Sequence, residues 1–344
     1  MPVHIAKRPM GTAAKGTDMR IDCHCHVFNN DCIPLKGLLQ SRFGIAVGGR
    51  LLECLHSCEK DGAVLRRGGA KSRFRLDMDG LADSLTDPAE KDSLRYLAEH
   101  PRQFLRFLLV GVRSVDGIVA LTMEQAEDID VWVPLMVDAE AGYGGSAARI
   151  GFAEQKRIMM EVTANARGRI WPFFAFDPRS RSVDEVKAAI EKEGFVGVKL
   201  YPPLGFKPWG NEDKALDDKL DALYQYCVAG EDGPIPITAH CSWSDGVYSN
   251  RAVAGVSHYK EYYREMAHPS HWEPVLARHG KLKLNLAHFG GAGEWERRSY
   301  DFPGHARAGN WSEKILKLLK ENENVYTDLS FHGILAAKNR EGYG

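Results

Sequence analysis

Residues 20–29 read RIDCHCHVFN, with two histidines one residue apart and an aspartate just before them. On an extended strand alternate side chains point to opposite faces. Asp22, His24 and His26 then share one face, and Cys23 and Cys25 share the other. Two further histidines end later apolar runs, His240 in ITAHCS and His288 in LNLAHFGG. Neutral imidazole is the commonest protein ligand for zinc, and a catalytic site keeps one position open for water. A bound divalent ion lowers the pKa of that water to about 7 and polarises a carbonyl or carboxylate. A second histidine on one face of a strand has little structural use, so the H-x-H pair reads as ligands. Lone strand histidines are more often buried and hydrogen-bonded, so His240 and His288 gain weight only in company with the pair.

Elements must bring these residues together. Apolar or β-branched runs fall at 20–28, 131–138, 170–178, 195–203, 234–242, 281–291 and 324–331. Between them lie amphipathic stretches, AEQKRIMMEVTANAR, SVDEVKAAIEKEG with Gly194 as a helix stop, and WSEKILKLLKENEN with Ile315, Leu316, Leu318 and Leu319 on one stripe. Strand, helix, strand, repeated, predicts a parallel sheet. One interval breaks the rhythm. Residues 30–130 exceed what one crossover needs, and they read as a mostly helical insertion that shapes specificity. Residues 1–17 read as a disordered lead-in ahead of one domain, 18–344.

The 344 residues are 44% apolar with a net charge of −1, enough for a sizeable core and without a basic run for nucleic acid. No stretch approaches a membrane span. Seven scattered cysteines without a C-x-x-C pair fit a reducing cytoplasm rather than a disulfide framework. No P-loop, G-x-S-x-G elbow or G-x-G-x-x-G turn is present. The expected partner is a small-molecule substrate, and a homo-oligomer is compatible with the sequence.

In a parallel α/β barrel the C-terminal strand ends form the active face. His24, His26, His240 and His288 would converge there, while Cys23 and Cys25 fill the helix layer. Lys199, in GVKLYPP, shares a strand face with Gly197 and Tyr201 and is expected to point inward. A buried ion pair would explain such a lysine as well as a substrate contact does. Asp22 could orient a ligand histidine or bond to backbone. Asp138, Asp177 and Arg179 lie at strand ends, where they could touch substrate or start turns. Trp243 and Trp295 in mouth loops suit an apolar substrate wall, a lid or a subunit contact. Cys54, His56 and Cys58 in ECLHSCEK suit helix packing better than a second metal site.

IDCHCHVFN, GVKLYPP, ITAHCS, LNLAHFGG and NVYTDLS together resemble the amidohydrolase-related metal-dependent hydrolases, a branch that includes non-oxidative decarboxylases. The resemblance implies a (β/α)8 TIM barrel, here with seven of eight strands and an insertion after the first. It implies one divalent ion, zinc by preference, on His24, His26 and His240, with His240 and His288 as catalytic residues and Lys199, Trp243 and Asp138 as substrate contacts. Some members carbamylate a fourth-strand lysine. The family also places an aspartate at the end of the eighth strand. No such motif is present, and Asp328 on the seventh strand is expected to be a poor replacement, so the chain reads as a C-terminal truncation. The expected activity is hydrolysis of an amide, lactone or ester. Decarboxylation of an aromatic or unsaturated acid is the alternative, and a barrel that binds without catalysis is a third reading.

Overall fold

The computed structural model describes residues 19–38, 111, 113–144, 146–243, 246–294 and 310–330. Seven strands lie in them: β1 (Ile21–Cys25), β2 (Val131–Pro134), β3 (Phe173–Phe176), β4 (Gly197–Leu200), β5 (Ile237–Ser242), β6 (Leu284–Gly290) and β7 (Val325–Thr327). Each falls inside one of the seven expected runs. All ladders are parallel, β1 with β2 and β3 through β7 in chain order. Single bridges, Trp132 to Ile170 and Leu135 to Phe173, carry β2 onto β3. Neighbours therefore follow sequence order throughout, the arrangement of an α/β barrel.

The helices are α1 (Val115–Gln125), α2 (Phe152–Asn165), α3 (Val183–Lys192), α4 (Lys214–Val228), α5 (Tyr259–Glu265), α6 (Glu273–Arg278) and α7 (Trp311–Glu321). Local chemistry sets their ends. Ser182 and Glu185 form a reciprocal capping box at α3, and Gly194 follows its end at φ +84°. Asn310 caps α7 by accepting from the Ser312 and Glu313 amides. In α7, Ile315 and Leu318 are fully covered, and Leu316 and Leu319 flank them. No helix of the described residues is long and apolar enough to cross a membrane.

Burial separates the two faces of the sheet. Phe174, Val198, Leu200, Ile237, Ala239, Leu284 and Leu286 pack with Val186, Leu220, Leu223 and Ile315 of the helices in one continuous core. Val133, Leu135 and Phe173 form a separate interior cluster. The interior admits Phe173 because its neighbour is Gly197, directly paired with it. A Cβ at Gly197 would lie 2.5 Å from the Phe173 ring.

One expectation changes here. Cys25 lines a small apolar pocket with Val119, Met123 and Ile170. Cys23, by contrast, is exposed. Of the insertion, a 3-10 turn (Asn30–Cys32) and α1 are described. Residues 39–110, with Cys54, His56 and Cys58, lie outside the described residues, as do 1–18 and Trp295.

Substituting Gly197→Ala should destabilise the protein by about 1–3 kcal/mol, the usual cost of overpacking a filled interior. Urea unfolding at neutral pH measures this, and an unchanged midpoint would refute the tight Gly197–Phe173 contact.

Candidate metal centre

Four imidazoles from three strands meet in one row. His26 and His24 have ring centroids 5.3 Å apart, His24 and His288 are 4.6 Å apart, and His288 and His240 are 4.6 Å apart. The H-x-H pair arrives as alternation predicts, from one face of β1. Asp22 binds backbone, accepting the His24 amide at 2.9 Å.

His288 reaches the row by a different route. On β6, Leu284 and Leu286 face the helices, so strict alternation would send residue 288 outward too. The backbone breaks that parity. His288 and Phe289 both adopt left-handed dihedrals, at φ +68° and +46°, followed by Gly290 at +84° and Gly291 at +97°. The ladder slips by one residue at this point, from His240↔Ala287 to Ser242↔Gly290. Such a bulge re-aims a side chain, and left-handed non-glycine residues concentrate at functional sites. His288 turns inward and Phe289 takes the place in the outer core.

The carboxylate at the centre is Asp328, just beyond β7. Its Oδ2 accepts from His24 Nδ1 at 3.0 Å and Asn285 Nδ2 at 2.8 Å. Its Oδ1 accepts from the His288 and Ser330 amides, each at 3.1 Å, and from the Ser330 hydroxyl. His24, His288 and Asp328 bring potential ligand atoms within 4.8 Å of one another. The carboxylate's lone-pair sites are largely taken by these donors. It anchors the His24 ring through Nδ1, and it also belongs to the one group among the described residues whose ligand atoms are close enough to share a metal ion.

Proton bookkeeping then assigns the rings. His24 Nδ1 donates to the Asp328 carboxylate, which leaves Nε2 bare, and that atom is buried with no hydrogen-bond partner. His26 Nδ1 donates to the Leu135 carbonyl at 2.8 Å, which leaves its Nε2 bare as well. Metal-binding histidines are held in this way, with the distal N–H tied to a carboxylate or a carbonyl. His288 Nδ1 faces the Ser330 carbonyl at 3.3 Å and the Ser330 hydroxyl at 2.9 Å. A carbonyl only accepts, so His288 carries its proton on Nδ1, and its Nε2 accepts from His240 Nδ1 at 3.0 Å. His240 thus joins the row through His288.

The electrostatics favour neutral rings. Burial, then the Lys199 charge, lowers the pKa values of His24 and His288, and the same causes bring His26 down to about 3. Burial disfavours the Asp328 carboxylate, but hydrogen bonds from His24, Ser330 and Asn285 outweigh it and hold the group well below the usual carboxylate range.

Lys199 is 1% exposed, and its Nζ has no hydrogen-bond partner. Burial pushes it down to about 7, with the Asp328 charge opposing. With Asp138, Asp177 and Tyr201 it lines a crevice too narrow as it stands to admit a water molecule. Those two carboxylates are already engaged, Asp138 by Arg181 at 2.7 Å and Ser180 at 2.8 Å, and Asp177 by Arg179. Trp243 packs away from the histidines, edge-on to Trp311 with the Arg264 guanidinium over its ring. Sequence reasoning did not single out Ser330 or Asn285 as site residues. The available signal was their position at or near the ends of β7 and β6.

Replacing Asp328 with Asn should cost about 1–3 kcal/mol at pH 7, since buried donors lose their acceptor charge. An aspartate whose folded pKa lies below its unfolded value of about 3.9 stabilises above that value and loses the contribution as pH falls. Wild-type stability should therefore drop more steeply than that of Asp328→Asn as pH falls from about 5 to 3. Parallel curves from thermal unfolding across that range would contradict the assignment.

An amidohydrolase family model matches residues 21–339. No curated protein matches the chain. Among solved structures, a probable 2-pyrone-4,6-dicarboxylic acid hydrolase from Acinetobacter baumannii is 12% identical at a TM-score of 0.36, over 62% of this chain and 59% of that one. The 5-carboxyvanillate decarboxylase of Sphingomonas paucimobilis is 13% identical at 0.35, over 61% and 71%. A 2,6-dihydroxybenzoate decarboxylase from Rhizobium is 14% identical at 0.33, over 62% and 77%. The match over residues 21–339, on a parallel α/β fold whose strand ends gather four histidines and an aspartate, makes this chain a member of the amidohydrolase family, a superfamily of metal-dependent enzymes.

Proposed function

We propose that the protein is a hydrolase that opens an amide, lactone or ester bond of a small molecule with the help of one divalent ion, zinc by the chemistry of its donors. The observation that carries this reading is His24 Nε2, buried without a hydrogen-bond partner, on the same strand face as His26, with each ring fixed by a hydrogen bond at Nδ1. A bare imidazole nitrogen buried without a partner is costly unless something occupies it, and a soft-to-borderline cation fits that need. When bound, such an ion supplies a Lewis acid and an acidified water.

The remaining work falls to the chain's own groups. Asp328 and the Leu135 carbonyl hold His24 and His26 in the ligating tautomer. His240 and His288, hydrogen-bonded to each other, are the catalytic pair in this reading, and one of them would exchange that bond for one to the attacking water to take its proton and return it to the leaving group. Lys199 supplies a positive charge next to the crevice and would hold an anionic part of the substrate. Asp138 acts through Arg181 and Ser180, as part of the wall. The scattered cysteines without a C-x-x-C pair are in keeping with a cytoplasmic enzyme.

One observation favours decarboxylation as a second reading. A buried amine with no hydrogen-bond partner, Lys199 Nζ, suits a substrate carboxylate, and a decarboxylase must hold one beside the ion. The two reactions differ in their products, because only decarboxylation releases carbon dioxide.

Protein prepared without chelator should hold about one divalent ion per chain by mass spectrometry. His24→Ala and His26→Ala should each reduce that content severalfold while remaining folded by circular dichroism. Equal content in all three would overturn the ligand assignment.

A further inference from the structure

His240 is held from three sides, and two of the holders have no assigned role. Tyr201, the residue after β4, lays its ring flat on the imidazole, with centroids 4.3 Å apart and planes 14° from parallel. His288 takes the Nδ1 edge. Gly246 closes the opposite edge. It sits at φ +90°, and a Cβ there would collide with His240 Cε1 and with the Tyr201 hydroxyl. Only glycine allows the backbone so near the ring.

The same tyrosine anchors the segment that carries Gly246. Its hydroxyl accepts the Val247 amide at 3.0 Å. The segment is then pinned further along, where Ser249 donates its amide to Pro203 O at 2.9 Å and its hydroxyl to Gly142 O at 2.6 Å. One side chain thus stacks on the histidine and ties down the strap that covers the histidine's far edge.

We propose that Tyr201 and Gly246 are positioning residues for His240: together they hold its ring in the plane and at the place from which Nδ1 donates to His288. The interaction has a physical basis in ring stacking and in the close backbone approach that glycine allows at the strap. Unheld, an imidazole on a strand end can flip about χ2, a broad torsion with two nearly equivalent wells. A flip exchanges Nδ1 with a carbon and breaks the link to His288. The inference rests on the reading of His240 as a histidine at the reacting centre, but its test does not use activity.

The test is nitrogen-15 and proton NMR of the histidine side chains in the full-length protein, with His240 assigned by its own substitution. In the wild type, His240 should show one protonated nitrogen, Nδ1, and ring protons shifted upfield by the face of Tyr201. Tyr201→Leu should abolish the upfield shift and average the two nitrogens. Gly246→Ala should move the same signals with Tyr201 intact. Tyr201→Phe should keep the upfield shift while the Val247 amide signal moves. Tyr224→Phe, which removes the Tyr224 hydroxyl bond to Pro208 O at 2.9 Å, serves as a control that lowers stability without moving His240. Unmoved His240 signals in Tyr201→Leu or Gly246→Ala would overturn the proposal. Should Tyr201→Leu fail to fold, Gly246→Ala and Tyr201→Phe decide. Loss of metal binding in the His24 variant fails or passes separately, so the two readings can fall independently.

Discussion

One buried carboxylate joins the two ends of the described fold. Asp328 follows β7, yet it accepts from His24 on β1, 304 residues away, and from Asn285 and the His288 amide on β6. Among the described residues no strand ladder connects β7 to β1, so this side chain is a direct link between them. Its charge is tolerable in the interior because donors converge on both oxygens. The same contacts decide which nitrogen of His24 is bare. The tie between β1, β6 and β7 and the orientation of the His24 ring therefore depend on one group.

The separation of the two sheet faces makes that arrangement possible. Outward residues of β3 to β6 and the inward stripes of the helices form a continuous apolar layer. Inside, Gly197 and Phe173 complement each other and fill the lower space. Polar groups gather above that plug, at the C-terminal strand ends. The result is a site whose His24, His26 and His288 are desolvated and held below their ordinary pKa values and whose Lys199 is buried without a hydrogen-bond partner.

Neutrality has a consequence for binding. Three rings are kept below their ordinary pKa values, and two of them, His24 and His26, present a lone pair at Nε2 once Nδ1 donates to its partner. Asp328 keeps its charge, and Lys199 lies close enough to feel it. A divalent ion would bring a net positive charge to the row, and an anionic substrate would reduce it. The strap over His240 and the Arg181–Asp138 pair bound the rest of the space.

Much of this was legible in the residues alone. Strand periodicity located all seven strands, since alternation and apolar runs are local properties. The H-x-H pair declared its shared face for the same reason, and Ser182 and Gly194 marked the limits of α3 through capping and left-handed geometry. Other features were not local. Alternation alone would have sent His288 outward, and only the bulge, set by pairing against β5, turned it inward. Asp328 looked unsuited as a ligand because its role as an anchor depends on His24, which a strand brings from the opposite end of the chain. Tyr201 and Gly246 gained meaning only where β4 and the loop after β5 meet. The sequence by itself determined which residue types could bind a cation and which faces they occupied. The tertiary structure alone decided which atoms remained bare, because hydrogen-bond partners are chosen by proximity in space.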